Sequence, residues 1–443
     1  MAVTFTRAQV AATDRKKFTF SCWLKRGKLT TQENFFTSIY NASNEFQFRF
    51  DSDDEIRWAG SLGGSAAGLI NTKRLFRDTN GWYNIVIVGD TTQATNIDRL
   101  KLYINGEQVA DGDLNSPGYP AQDTDFGFGT TDYNFCFGVS TPGTTNDPFT
   151  GLMSYAAFVD GTAYDASYFG ETDSSSGIWK IKTAPSVTYG NNGFYLKMDT
   201  ASPTTDSSGN NNTFSSTGTP TLTQDNASNN FAVFNPIANG GTNLTITNCN
   251  TTVYDSDSTW RSGFGGLAPS SGKWYFEAKR VGSSSNAWVG IMDSSQLDGT
   301  GTYKLTAKSR GYGYSASGEK GNSGSESAWG NAYAQNDIVG VAMDLDNQKI
   351  YFSKNGTWEN SGVPTSGSTG TGSMYDLASG YNYYPATSLY STSAGFSFNF
   401  GNGFFGETAV TSSNADAAGH GLMEYAVPSG YYTLNTKNLN TYG

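Results

Sequence analysis

The chain holds one histidine, His420, in the run Ala418-Gly-His-Gly421. A hydroxyl nucleophile of the triad type needs a histidine base and a third group to orient it. His420 lies outside the patterned parts of the chain and reads as a linker residue. The three cysteines, Cys22, Cys136 and Cys249, lack the paired spacing of a metal site, and an odd number is no disulfide framework. They read as buried free thiols. Asp344 and Asp346 stand two apart, but Asp346-Asn347 is turn chemistry. Gly311 and Gly313 lack the following helix that phosphate binding requires. Asn41-Ala-Ser43 is a chance glycosylation triplet in a composition rich in Asn, Ser and Thr. Asp51, Asp53, Asp54 and Glu55 cluster at the end of a strand. They are the hard oxygen ligands calcium takes, provided that they converge with ligands from another loop; the alternative is a solvated acidic loop. Calcium is the one cofactor these residues admit, and no enzyme is expected.

The elements that would position such residues are strands. Of 443 residues, 14% are aromatic and 53 are glycine, the profile of many short strands joined by many turns. Phe18, Phe20, Cys22 and Leu24 alternate with Thr19, Ser21 and Trp23. Phe46, Phe48 and Phe50 alternate with Gln47 and Arg49, and Leu100, Leu102 and Ile104 lead into Asn105-Gly106, a two-residue hairpin turn. Helical periodicity never runs beyond about three turns, and Ala163 to Phe169 is the one short-helix candidate. The net charge of −11 repels phosphate backbones, so nucleic acid is not an expected partner. The apolar runs fall far short of a membrane span, so insertion is not expected. No signal peptide precedes the first strand pattern, and secretion is not implied. The pattern predicts an all-β chain of two tandem antiparallel β-sandwiches joined by a polar connector. The expected bounds are 1–200 for the first sandwich, 201–242 for the connector, 243–410 for the second sandwich and 411–443 for a C-terminal docking tail.

In the first block, Phe18-Thr-Phe-Ser-Cys-Trp-Leu-Lys-Arg-Gly27 resembles the opening strand of laminin-G-like, concanavalin-type jelly rolls. Gly81-Trp82-Tyr83-Asn84-Ile85-Val86-Ile87-Val88 resembles the central strand of that family, with Trp82 expected to fill the space between the sheets. Leu100 to Val109 and Phe149 to Phe158 resemble its hairpin and its closing strand. Together with Phe169-Gly-Glu-Thr-Asp173, Gly177-Ile-Trp179 and Tyr189 to Leu196, this series is similar to tail-fibre and other structural proteins of marine phages, notably those of cyanobacteria. Concanavalin-like glucanases carry carboxylates on one strand face as E-x-D-x-E or E-x-D-x-x-E, and neither pattern occurs in the chain.

The second block resembles a SPRY domain. Six segments match in the family's order: Gly272-Lys-Trp-Tyr-Phe-Glu277, Trp288-Val-Gly-Ile291, Gly311 to Ser315, Asp337 to Gly356, Tyr384 to Leu389 and Phe396 to Gly401. The resemblance implies a module that holds peptides or protein surfaces with loops at one end of the sandwich. Trp260, Trp329 and Tyr333 are the candidate contact residues, as loop aromatics that stack on sugar rings or anchor interfaces. The competing reading of each is a cap on the core.

The final segment, Tyr425 to Leu439, resembles a tail that ends many phage fibre proteins, and is expected to dock or cap as a strand. These resemblances imply a protein of the virion surface, a tail fibre or a capsid fibre or knob. Its expected partners are other virion proteins and a host-surface glycan or protein. A homo-oligomer is expected, with the trimer the common form among phage appendages. Architectural decoration or cement without a host ligand is the second reading, and a polysaccharide depolymerase the third.

Overall fold

Strict alternation gives each strand one apolar face, and two such faces can only be satisfied against each other. The computed structural model describes residues 3–144, 146–199, 202–237, 244–297 and 303–443. The chain divides into two units, Met1–Leu222 with Asn226–Ser228, and Thr223–Asp225 with Asn229–Gly443.

In the first unit a sheet runs in the order Ser215–Thr217, Thr4–Ala8, Asn134–Phe137, Glu33–Asn41, Asn44–Phe50, Glu55–Leu62, Ser65–Leu75. The facing sheet runs Phe194–Leu196, Gly151–Asp160, Lys17–Arg26, Tyr83–Asp90, Leu100–Ile104, Glu107–Gln108. The expected alternation holds: Phe18, Phe20, Cys22, Leu24, Phe46, Phe48, Phe50, Leu100, Leu102 and Ile104 all enter one core. The tryptophan inside that core is Trp58, fully buried, with its ring against Phe18 and Phe46. A Cβ on Gly68 (φ +149°) would stand 2.6 Å from the Trp58 ring, so that position requires glycine. The core role expected of Trp82 is corrected: the strand begins at Tyr83, and Tyr83, Ile85 and Ile87 face inward. Trp82 stands half-buried just ahead of them, because a one-residue offset reverses the face in a period-two strand. Asn105 and Gly106 both have positive φ (49° and 83°), as a type I′ turn requires.

The outer face of the second of these sheets is also covered. Val86, Val88, Ala157, Val159 and Tyr195 pack under Ala166, Phe169 and Trp179. The indole of Trp179 donates to Asn84 Oδ1 at 3.0 Å. The short-helix candidate is a single 3-10 turn, Ala166–Tyr168.

In the second unit a sheet runs Leu244–Thr247, Thr252–Asp255, Gly395–Asn399, Lys273–Arg280, Ile338–Asp344, Lys349–Lys354, Thr357–Trp358, and its partner runs Arg261–Phe264, Tyr383–Leu389, Ala287–Asp293, Gly311–Ser315, Glu319–Asn322, Ser325–Ala328. Val339, Val341, Met343 and Leu345 share the core with Ile350, Phe352, Phe396, Phe398 and Phe400.

The polar stretch supplies more order than its composition suggests. Ser215–Thr217 pairs with Thr4–Ala8, and Phe214 enters the first core. The Asp206 carboxylate receives the N–H groups of Tyr195, Ser208 and Asn212. Farther on, Ala232 and Phe234 enter the second core, with Phe234 4.5 Å from Phe398. Residues 200, 201 and 238–243, which include the ends of the expected connector, lie outside the described residues.

The tail docks on the second unit by more than the expected strand. Tyr432–Thr433 pairs in parallel with Lys273–Arg280, and Thr436–Tyr442 is an α-helix capped by the side chain of Asn435. Met423 and Tyr431 cover Tyr275, Ala342 and Tyr351 on the outer sheet face. Two buried carboxylates fasten this cover. Asp416 receives the N–H groups of Ala418, His420 and Thr433 and the Asn438 amide. Glu277 receives the N–H groups of Glu424 (2.9 Å) and Tyr425 (2.8 Å) and the Tyr275 hydroxyl. His420, expected in a free linker, therefore sits in an ordered turn.

Candidate functional site

Trp260 immediately precedes the strand Arg261–Phe264, whose Arg261 lies opposite Leu389. That register brings Trp260 beside Tyr390, with ring centroids 5.3 Å apart. Both rings are half-buried. The Lys304 ammonium lies 4.6 Å from the Trp260 ring centroid and 4.1 Å from that of Trp288, and it also pairs with Glu326. Trp288 itself is buried. The outer indole is therefore held between a tyrosine and a cation, with part of its surface left open. A rigid, half-open aromatic loses little conformational freedom when it meets a ligand, and cation–π contact adds to its positioning.

The other two candidates serve the core. Trp329 is half-buried and sits edge-on to Tyr314, ring centroids 5.4 Å apart. Its carbonyl receives the Asn360 amide at 2.8 Å. Tyr333 is only 1% exposed; its hydroxyl donates to the Tyr314 carbonyl at 3.0 Å, and burial pushes its phenol well above the ordinary value. Tyr333 has no surface to offer a partner, because the loop carrying it turns its side chain between the sheets.

The carboxylates of the acidic loop are largely engaged by other side chains. Asp54 is fully buried and pairs with Arg26 and with Arg77, each at 2.9 Å, while the Thr30 N–H donates to it at 2.7 Å. Arg26, also fully buried, lies over the Phe50 ring and donates to the Phe76 carbonyl. Asp51 faces Arg49 and Arg57, and Asp53 is exposed. Guanidinium groups occupy oxygens of Asp51 and Asp54, and Glu55 receives the Asn71 and Asn115 amides. Among the described residues no group of three or more His, Cys, Asp or Glu side chains is placed to hold a metal ion.

The remaining candidates for chemistry are absorbed by the scaffold. Asp344 pairs with Lys273 at 2.9 Å and closes the turn through Asn347, and Asp346 receives the Gly272 N–H. Cys22 and Cys136 are buried, with thiol pKa values pushed up by burial, that of Cys136 to about 12; Cys249 is half-buried. Neither buried thiol is a nucleophile. In the first unit the outer face of the central strands presents Ser21, Trp23, Asn84, Val86 and Val88, with no pair of carboxylates among them.

Comparison with known proteins agrees with these two sandwiches. The model of the concanavalin A-like lectin/glucanases superfamily matches residues 2–167, and that of the SPRY domain matches residues 273–403. A stretch of 151 residues is 32% identical to the ATP-dependent RNA helicase Ddx1 of Drosophila melanogaster; it covers 30% of this chain and 18% of that protein. Among solved structures, the SPRY domain of human HERC1 is 16% identical, covering 35% of this chain and 91% of the other, with a TM-score of 0.29. A proposed carbohydrate-binding protein from Bacteroides ovatus is 15% identical, covering 49% and 56%, with a TM-score of 0.33. The chain carries a concanavalin A-like domain followed by a SPRY domain, and both domain types point to carbohydrate or protein binding.

Proposed function

We propose that this chain is a non-catalytic protein of a phage particle's surface, a tail fibre or a capsid fibre or knob, which binds a host-surface glycan or protein. The observation that carries the binding part is the Trp260–Tyr390–Lys304 cluster, a fixed and half-open aromatic beside the strand ends of the second unit. The particle assignment rests on the ordered series of first-block segments that resemble marine phage structural proteins, and on the closing Pro428-Ser-Gly-Tyr-Tyr-Thr-Leu-Asn-Thr segment. The absence of catalysis is supported by the way the scaffold absorbs Asp344, Asp54 and the buried thiols.

The test is adsorption. Fluorescently labelled full-length protein is incubated with a panel of cyanobacterial and other bacterial cells, and antibody against the chain is used to locate it on particles. Adsorption to at least one strain, reduced roughly tenfold by Trp260→Ala, is the expected result. No adsorption to any strain, with the chain found buried between subunits of the particle, would favour the architectural role instead.

A further inference from the structure

The second unit has a groove of about 630 Å³ beside the hairpin that ends in Thr357–Trp358. It is an open depression with a mainly polar lining. The walls are Asn331 and Ala332 on one side and Lys354, Asn355 and the run Thr357 to Ser361 on the other. None of the sequence candidates is a lining side chain of this groove, although the Trp329 carbonyl anchors its rim.

The groove is built rather than incidental. At its base Glu359, 5% exposed, receives both the N–H of Asn331 (3.0 Å) and its side-chain amide (2.9 Å). That contact fixes the Asn331 side chain by its nitrogen and leaves the amide oxygen as the presented atom. Asn360 is treated the same way: its amide nitrogen donates to the Trp329 carbonyl at 2.8 Å. Asn360 and Ser361 both hold left-handed backbone conformations (φ 50° and 52°), and two consecutive non-glycine residues in that region are strained. A Cβ on Gly330 would come within 2.8 Å of the Tyr314 hydroxyl and 3.0 Å of the Glu359 carboxylate, so the wall closes only over glycine. Thr357 and Ser361 are exposed and add two hydroxyl groups, and Trp358 contributes a half-buried indole.

The chemistry of this lining selects its ligand. Two amide side chains and two hydroxyls can exchange hydrogen bonds with a hydroxyl-rich molecule, beside the part of Trp358 not packed against Tyr275. Lys354 is tied to Asp337 and to the Ala332 carbonyl, and Glu359 receives two N–H groups of Asn331 on Oε2. The lining therefore carries one positive and one negative group, each already engaged, and an anionic ligand gains nothing there. A peptide strand is not the fit either, since the edge strand beside the groove is only two residues long before it turns.

We propose that this groove is a binding site for a neutral oligosaccharide, held by Asn331, Thr357, Asn360 and Ser361 against Trp358. This deepens the surface-recognition reading and rests on it for the origin of the sugar.

The test uses the full chain with chitotriose, cellotriose and maltotriose, followed by saturation-transfer NMR and calorimetric titration. At least one of these should bind with a Kd of about 1 mM or tighter. The double variant Asn360→Gly with Thr357→Val should weaken it by at least about tenfold. Glycine keeps the left-handed backbone, valine keeps the shape of threonine, and an unchanged melting temperature confirms the fold. Ile178→Ser on the exposed surface of the first unit should leave affinity unchanged. Binding of none of the three at about 10 mM, or equal binding by wild type and double variant, overturns the groove assignment. The adsorption assay judges the wider reading separately: adsorption through Trp260 can persist when the groove assignment fails, and trisaccharide binding can persist when adsorption fails.

Discussion

The two units solve one problem, covering the outer face of a sandwich, in opposite chemical ways. In the first, residues of the same unit fold back and Trp179 seals the sheet. One of its buried carboxylates, Asp54, is answered by two guanidinium groups. In the second, the cover is the chain's last segment, and one of its two buried carboxylates, Glu277, is answered only by neutral donors. The titration behaviour follows. Burial alone would raise Asp54, but the Thr30 N–H and the Arg77 and Arg26 guanidiniums outweigh it and hold the carboxyl below its usual value. Burial dominates at Glu277, where the N–H groups of Glu424 and Tyr425 offset only part of the cost, and the pKa is pushed up to about 7. A carboxylate answered by cations is held charged, whereas one answered by neutral donors is expected to make the fastening of the tail depend on pH.

The sharpest way to break this contrast is to remove the carboxylate from the first unit. Asp54→Ala removes the 2.9 Å carboxylate partner of the buried Arg26 and leaves the longer Glu33 contact of 3.7 Å. It should cost about 3–5 kcal/mol, read from denaturant unfolding and from hydrogen exchange in the strand Lys17–Arg26. Because the folded pKa of Asp54 is depressed, its contribution is present above its unfolded value of 3.8 and is lost as pH falls further.

Glu277 should behave in the opposite sense. Its folded pKa lies above the unfolded value of 4.5, so the favourable proton uptake is complete below 4.5 and is lost as pH rises to about 7. The gap is worth on the order of 3 kcal/mol. Hydrogen exchange in the strand Lys273–Arg280 should show wild type losing stability between pH 5 and pH 8, and Glu277→Gln should flatten that slope. A slope that is unchanged in the variant would remove Glu277 as its source.

A smaller effect tests the reassignment of Tyr333. Tyr333→Phe deletes one hydroxyl that donates to the Tyr314 carbonyl and should cost about 1 kcal/mol with no change in adsorption. Smallest of all in stability is Trp260→Ala, half-open and outside the principal core, which should cost under roughly 1 kcal/mol yet carry the largest loss of adsorption.

Much of this architecture is legible in period-two alternation, since Phe18 to Leu24 and Val339 to Leu345 lie in the strands and on the faces that pattern specifies. The misplacements share a cause: they depend on contacts distant in sequence. Trp82 and Trp58 are both near apolar runs, and only strand register separates the half-buried one from the central one. Asp54 reads as a ligand until Arg26, 28 residues away, is seen against it. The groove residues Asn331 and Glu359 likewise meet across 28 positions. The Asn355-Gly356 turn is readable, but nothing local marks Asn360 and Ser361 as left-handed.

On the proposed reading recognition belongs to the second unit, where Trp260, Trp329 and Trp358 stay half-buried while Trp274 and Trp288 are closed, and not to the covered sheet of the first. Hydroxyl-radical footprinting of the full chain, with and without an envelope extract of cells to which it adsorbs, tests this most directly. The expected result is protection at Trp260 and Trp358, with Trp179 unchanged and Trp58 and Trp274 unreactive throughout. Protection confined to Trp82 and Trp179, with Trp260 unchanged, would contradict it.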